Sequence, residues 1–322
     1  MPHEYERHGI RKTVLRGIVA MIGLALISGH ASGQEHPDTS LELVLETGKT
    51  QVVLGEPVYV TVRLRNTGTA PVDAPKVLDP QTGVVQIEVA SASRPRLVFL
   101  PLFYADAIDT RKRLRPGEEV AAVFPIFYGG RGWTFPLPGA YRIMAVYRGP
   151  VHEDTEPVRS NAAAIEVMEG HGAGAFLMRD SLAGDEAGKF LLWQRGDHLR
   201  AGIAHLLTLI ETFPDSPVSD YALLALGRNL SRGFRNYSLG RVRQPDCAAA
   251  LDYLEKVRTE RLPPYLQIQN HLDQARCLMR VGQPVQARAL VDRTEQGASD
   301  RAEFGLLFQQ AFRLEPALKA AP

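Results

Sequence analysis

Little in this chain announces a reaction. Only two of its 322 residues are cysteine, Cys247 and Cys277. Neither falls between residues 41 and 168, so no disulfide staples that stretch. There is no Gly-x-Ser-x-Gly elbow, no phosphate-binding glycine loop and no dinucleotide fingerprint, and nucleophilic or nucleotide chemistry of those types has no sequence support. The histidines do not cluster. His198 and His205 are seven apart and share a face if both lie on one helix, yet no carboxylate ligand accompanies them. His152 to Glu156, HEDTE, lacks the second histidine of a zinc motif and is bracketed by Pro150 and Pro157, which makes it a loop. Cys277, flanked by Arg276 and Leu278, has no catalytic surround. The sequence thus offers no catalytic residue, no metal site and no cofactor.

Charge excess is missing too. The formal net charge is +1, from 37 Lys+Arg and 36 Asp+Glu. Without residues 1–33, which hold four of the basic and two of the acidic residues, 33 and 34 remain, a balance of −1. A dedicated nucleic-acid binder normally carries a basic surplus, so nucleic acid is not an expected partner. Long apolar runs are absent as well. The one uncharged apolar run, Gly17 to Ile27, is about half the roughly 20 residues of a spanning helix. Arg11, Lys12 and Arg16 precede it and the small residues SGHASG follow. That three-part layout is that of a secretory signal peptide covering residues 1–33, cut after Gly33 or alternatively after Ala31. A single membrane anchor is the competing reading. The expectation is an exported protein, periplasmic or secreted, with no transmembrane segment after cleavage.

Hydrophobic residues make up 45% and charged residues 23%, enough for a folded protein of about two domains. From Leu41 the pattern has period two. Val58, Val60, Val62 and Leu64 share a face, and Asn66-Thr67-Gly68 closes the run as a turn. Tyr141, Ile143, Ala145 and Tyr147 alternate against Arg142, Met144, Val146 and Arg148. With LELVLE, QVVL, VVQIEVAS, RLVFL, VAAVFPIFY and NAAAIEVME this predicts seven or eight strands over residues 41–168, in two antiparallel sheets face to face. The succession V-x-V-x-L-R-N-T-G, L-R-P-G-E, P-G-x-Y-R-I-x-A-x-Y and S-N-x-x-x-I-x-V resembles immunoglobulin-like domains of bacterial envelope proteins. Trp133, in the glycine-rich GGRGWTFPLPG, reads as a plug over one end of the sandwich or, alternatively, as a ligand contact.

The glycine-rich Glu169 to Ala175 marks a boundary. Residues 169–195 read as a linker with short packing helices, and 196–316 as helical hairpins. Ile203, Leu206, Leu207, Leu209 and Ile210 follow helical spacing, Pro214 and Pro217 stop that helix, and Asp215 or Ser216 can cap the next. The stretch from Gly202 to Gly227 is similar to the tetratricopeptide repeats of bacterial envelope proteins, with Gly202 at the small position, Leu206 at the large one, Pro214 as terminator and Ala222, Leu226 and Gly227 in the next helix. Ala249, Tyr253 and Pro263 form a looser copy. Ala275, Leu278, Gly282, Ala287 and Val291 form a closer one. Residues 303–314 supply a terminal helix. Gly202, Ala249 and Ala287 are unevenly spaced, which places an insertion at Phe234 to Asp246. The fold class expected is therefore multidomain, an all-β immunoglobulin-like sandwich followed by all-α tetratricopeptide-like hairpins.

In the repeat alignment Cys247 and Cys277 sit at neighbouring helix ends. They are a candidate disulfide in an exported protein, or else two buried thiols acting as small hydrophobes. Basic residues gather at Arg111 to Arg115 and around the insertion. The second group, Arg228, Arg232, Phe234, Arg235, Tyr237, Arg241 and Arg243, is the candidate partner-binding site, since arginines and aromatics on a long loop suit carboxylates, phosphates or an acidic segment. A solvated, ion-paired face is the alternative. The functional expectation is a non-catalytic interaction or scaffold protein of the bacterial cell envelope that binds a peptide or protein through its repeats. The rival is an accessory or catalytic component of an envelope hydrolase system acting on peptide or glycan polymers.

Overall fold

The computed structural model describes residues 41–105, 111–148, 156–170, 184–237, 240–298 and 302–319. The expected signal peptide, most of the HEDTE loop, most of the glycine-rich boundary and the packing piece at 176–183 lie outside the described residues.

The described chain begins with β1 (Leu41–Thr47), β2 (Gln51–Val53), β3 (Tyr59–Asn66), β4 (Val72–Pro75), β5 (Val85–Ser91), β6 (Arg94–Val98) and β7 (Arg111–Leu114). Next come β8 (Glu119–Pro125), β9 (Tyr128–Gly129), β10 (Gly132–Trp133), β11 (Gly139–Tyr147), β12 (Val158–Arg159) and β13 (Ala163–Met168). One sheet runs β1-β3-β8; the other runs β2-β13-β11-β5-β6, with β12 also on β11. The inner positions are those that alternation selects. Val60, Val62 and Leu64 of one sheet and Ile143, Ala145 and Ile87 of the other are all 0% exposed and belong to one apolar interior. A one-residue slip of either register would turn these side chains to water, so the burial fixes the pairing. Asn66 closes β3 as expected: its side-chain nitrogen donates to Ala70 O (2.8 Å) and Leu114 O (3.0 Å), and its oxygen accepts from Gly68 N (3.0 Å).

Three sequence expectations need correction. The β region has thirteen strands among the described residues rather than seven or eight, because short pairs such as β4–β7 and β9–β10 carry no alternation long enough to read. The basic Arg111 to Leu114 is one of these, paired with Val72–Pro75. The sheets are also not wholly antiparallel. After Gly48 the chain leaves the β1 sheet, and β2 pairs in parallel with β13, where it buries Val52 and Leu54.

The helices are α1 (Asp185–Trp193), α2 (Arg200–Thr212), α3 (Pro217–Leu230), α4 (Cys247–Leu254), α5 (Pro264–Arg280), α6 (Pro284–Ala298) and α7 (Gly305–Leu314). The proline-stopped turn after α2 falls where Pro214 and Pro217 put it, with Pro217 opening α3. The expected side-chain cap is not used. Ser216 occupies the cap position without a side-chain bond, and Asp215 instead accepts from Arg258 (2.7 Å). Gly202 and Gly227 are the close-contact positions. A Cβ on Gly202 would lie 2.5 Å from Glu186 C of α1, and one on Gly227 would lie 2.5 Å from the Leu254 side chain of α4. Ala275, Ala287 and Val291 are buried where α5 meets α6.

The apolar interior runs unbroken from the sheets into the helices. Tyr59 of β3 and Tyr265 of α5 have ring centroids 6.3 Å apart. Gly188 of α1 lies flat against the Tyr128 ring, with no room for a Cβ. Tyr221 Oη donates to Glu56 Oε1 (3.4 Å), and Glu56, 5% exposed, is also paired with Lys49 (2.5 Å). Arg63 of β3 meets Glu303 at 2.7 Å.

Candidate functional site: an arginine-rich hairpin and its foundation

The insertion between α3 and α4 is a β-hairpin, β14 (Phe234–Asn236) and β15 (Arg241–Arg243). Phe234 pairs with Arg243, Arg235 with Val242 and Asn236 with Arg241. It stands on a buried ionic cluster that joins α3, α5 and the segment after α1.

The cluster centres on Asp273 of α5, 3% exposed. Its carboxylate accepts from Arg228 Nε (2.6 Å) and lies 2.8 Å from Arg276 Nη2 and 3.3 Å from Arg232 Nη2. Arg228 also donates to Gln194 Oε1, and Arg276 donates to Ser231 Oγ (2.8 Å). Burial pushes the Asp273 carboxyl up, but Arg228, Arg232 and Arg276 outweigh it and hold it well below the usual carboxylate range. Burial pulls the Arg228 guanidinium down to about 10, with Asp273 opposing. A second carboxylate, Asp197, accepts from Arg243 Nε (2.8 Å) and Asn229 Nδ2 (3.0 Å). These two bonds outweigh burial and lower its pKa. Arg243 further donates to Asn229 O (2.7 Å) and Arg232 O (3.1 Å), which ties β15 to the end of α3.

The seven sequence candidates therefore separate into two groups. Arg228, Arg232 and Arg243 are foundation, held by carboxylates and main-chain carbonyls. Phe234 stacks on His198, 5.9 Å between centroids at 19°. Arg235, Tyr237 and Arg241 are exposed, Tyr237 by 83%, and the Arg235 guanidinium lies 5.5 Å from the Tyr237 ring centroid. That distance is within cation–π range and presets the pair. The charge beneath is unbalanced. Arg228, Arg232, Arg243 and Arg276 pair with the carboxylates of Asp197 and Asp273, and a fifth guanidinium, that of Arg195, donates to Gly233 O (3.3 Å) and lies within the field of Arg232, Arg243 and Arg276. The Arg195 pKa is lowered by burial and then by Arg232, Arg243 and Arg276. Buried Nε atoms of Arg232 and Arg276 lack a hydrogen-bond partner among the described residues.

Asp273, Arg276, Gln194 and Asp197 were not singled out from the sequence. A signal existed for Asp273: Leu266, Asn270, Asp273 and Cys277 follow helical core spacing, and all four are buried. A charged residue on such a face requires a buried partner. His198 precedes α2, so it does not share a helix face with His205. The cysteines are free and buried, with their thiols in hydrogen-bond contact. Trp133 packs on Phe127 and Tyr128, with centroids 5.9 and 5.5 Å away. A separate groove of about 580 Å³ follows α5 and α6, lined by Gln267, His271, Gln274, Arg293 and Thr294 among others. No group of three or more His, Cys, Asp or Glu side chains suited to a metal occurs among the described residues. No helix among them is long and apolar enough to cross a membrane.

No family model matches this chain, and no curated protein matches it. Among solved structures, the β-glucosidase EmGH1 of Erythrobacter marinus is similar at 22% identity over 40% of this chain and 16% of its own, with a TM-score of 0.24. A Listeria innocua β-glucosidase gives 19% identity, the same coverage and a TM-score of 0.24. The CARDB domain of a Pyrococcus furiosus protein gives 15% identity over 40% of this chain and 93% of its own, with a TM-score of 0.22. The chain spans about a sixth of the glycosidases it matches, and likeness at these scores defines no activity.

Proposed function

We propose that this chain is a non-catalytic interaction protein of the bacterial cell envelope, exported by its N-terminal segment, which binds an acidic segment of a protein partner at the α3–α4 hairpin. In this reading the β region is an immunoglobulin-like sandwich that braces tetratricopeptide-like hairpins. The observation that carries the reading is the exposed Arg235–Tyr237–Arg241 surface above a cluster with five guanidiniums and two carboxylates. A rigid aromatic beside guanidiniums is the composition that dominates binding energy at protein interfaces. The excess positive potential favours encounter with an acidic partner.

The test is the triple variant Arg235→Ala, Tyr237→Ala, Arg241→Ala, which leaves the buried foundation intact. Wild-type and variant proteins are used as bait in envelope extracts, and retained proteins are identified by mass spectrometry. The reading expects a partner that is lost from the variant and is released from wild type by moderate salt. An unchanged set of retained proteins sinks it.

A further inference from the structure

The edge strand β6 is exposed along its whole length, including Leu97 and Val98. Its inner side pairs with β5, and among the described residues no strand pairs with its outer side. Phe99 N donates inward to Ile87 O (2.7 Å). By strand alternation the main-chain groups of Val98 then face away from β5, and a register shift opposite Val89–Ser91 interrupts the alternation between Leu97 and Arg94. The next outward carbonyl, that of Leu100, is already taken by Gly130 N (2.8 Å). The β9–β10 hairpin thus stops the open edge at a defined point. It is seated so closely that a Cβ on Gly129 would lie 2.1 Å from Leu100 O.

At that corner lies a cavity of about 180 Å³. Its apolar wall includes Leu97, Val98, Phe99 and Trp133, and Arg94 and Arg131 stand on it as well. Both arginines are exposed, and neither forms a salt bridge among the described residues. The buried Nε1 of Trp133 has no hydrogen-bond partner among them. Volume decides what fits. The space is close to the roughly 150 Å³ cavity that accepts a benzene ring, and below the roughly 300 Å³ of an ordinary small-molecule pocket. It suits one large apolar side chain. Affinity beyond that must come from the adjacent edge of β6 and from Arg94 and Arg131.

We propose that β6 is a docking edge for an extended peptide strand of a protein partner. The strand pairs its main chain with Val98, inserts one aromatic side chain beside Trp133, and sets neighbouring acidic side chains on Arg94 and Arg131. This second site lies on the β region and does not depend on the α3–α4 hairpin.

The test uses the full chain and a capped, fluorescein-labelled peptide, Thr-Val-Thr-Glu-Phe-Glu-Val-Thr-Val, followed by anisotropy. Saturable binding is expected, weakened tenfold or more by the exposed-site variant Arg94→Glu/Arg131→Glu, whose fold is checked by circular dichroism. The same loss is expected on replacing both peptide glutamates by lysine, or on N-methylating the main chain beside the phenylalanine. The Arg235→Ala/Tyr237→Ala/Arg241→Ala variant binds as wild type does. The proposal is overturned by no saturable binding up to about 1 mM, the weak end of specific association. Equal binding of the lysine or N-methylated peptide, or by N-acetylphenylalaninamide alone, also overturns it. So does loss of binding in the hairpin variant, which moves the peptide to the helical site.

Discussion

Asp273→Asn should be among the most damaging single substitutions in the helical part. The variant keeps the shape of the side chain and removes its charge. It leaves Arg228, Arg232 and Arg276 together around a neutral amide, and that amide's own N–H groups oppose guanidinium donors. One exposed pair would matter little, because water screens it. Here Asp273 is 3% exposed and Arg228 6%. Removing one partner of such a buried pair costs about 3–5 kcal/mol, because the remaining charge stays desolvated. For a protein of this size that corresponds to a drop in melting temperature of roughly 4–8 °C. Equilibrium urea unfolding followed by far-ultraviolet circular dichroism measures it. Arg228→Met should cost less, because Asp273 retains Arg232 and Arg276. The pH dependence supplies a second check. The folded Asp273 carboxyl lies below its unfolded value, so its contribution is fully present above about pH 4 and is lost as pH falls through the folded pKa. Wild type and Asp273→Asn should therefore converge in acid. A loss below about 1 kcal/mol at neutral pH, the scale of a surface pair, would refute the buried-network reasoning.

Two glycines give opposite expectations. Gly202→Ala forces a methyl to 2.5 Å from the α1 backbone and should cost roughly 1–3 kcal/mol, whereas Gly297→Ala meets nothing within 4 Å and should add about 0.5–1 kcal/mol; thermal melts that rank the two the other way would contradict the packing. Burial, then Arg293, lowers the His271 pKa, so its neutral form contributes fully above pH 6.5 and the contribution is lost as pH falls from there through the folded pKa. The acid limb of stability below pH 6.5, followed by thermal melts, should accordingly flatten in His271→Gln. The Cys247–Cys277 hydrogen bond, helped by Arg280 and Arg276 and opposed by burial, holds the Cys247 thiol down to about 7. Oxidised glutathione should close this pair, removing both thiols from reaction with a thiol reagent and stabilising the fold by roughly 3–4 kcal/mol for a loop of about 30 residues; two titratable thiols and an unchanged melt after oxidation would refute that.

How much of this was legible depended on whether a residue's partner is near in sequence. The face carrying Val60, Val62 and Leu64, and the turn at Asn66, follow from local rules, and the structure places them as read. The α2–α3 turn follows from two prolines. Short strands such as β4 and β7 hold too few residues for period two to show, so a basic run read as a pre-turn segment is a paired strand. The candidate site was half legible. Its composition marked the insertion, but composition does not separate Arg243, tied to Asp197, from Arg241, which is exposed. That division depends on a carboxylate 46 residues away in sequence. Asp273 did carry a signal, since its position on the buried face of α5 demands buried counter-charge.

The same long-range contacts bear on how the helical part is stabilised. Tyr59, Tyr128 and Glu56 of the β region carry contacts into the helices: Glu56 accepts from Tyr221, and Tyr128 packs on Gly188. Tyr59 packs on Tyr265, and Tyr265 lies within the field of Arg228, Arg232 and Asp273. An unbroken set of contacts thus runs from β3 through α5 to the foundation of the hairpin. Producing the parts on either side of residues 170–184 as separate fragments would uncover Tyr59 and Tyr128 on one and Tyr221 and Tyr265 on the other, whose contacts cross that boundary. Their apolar surface contributes about 25 cal/mol per Å², which neither fragment recovers alone. The hairpin therefore depends for its rigidity on the β region, although none of its seven candidate residues lies there.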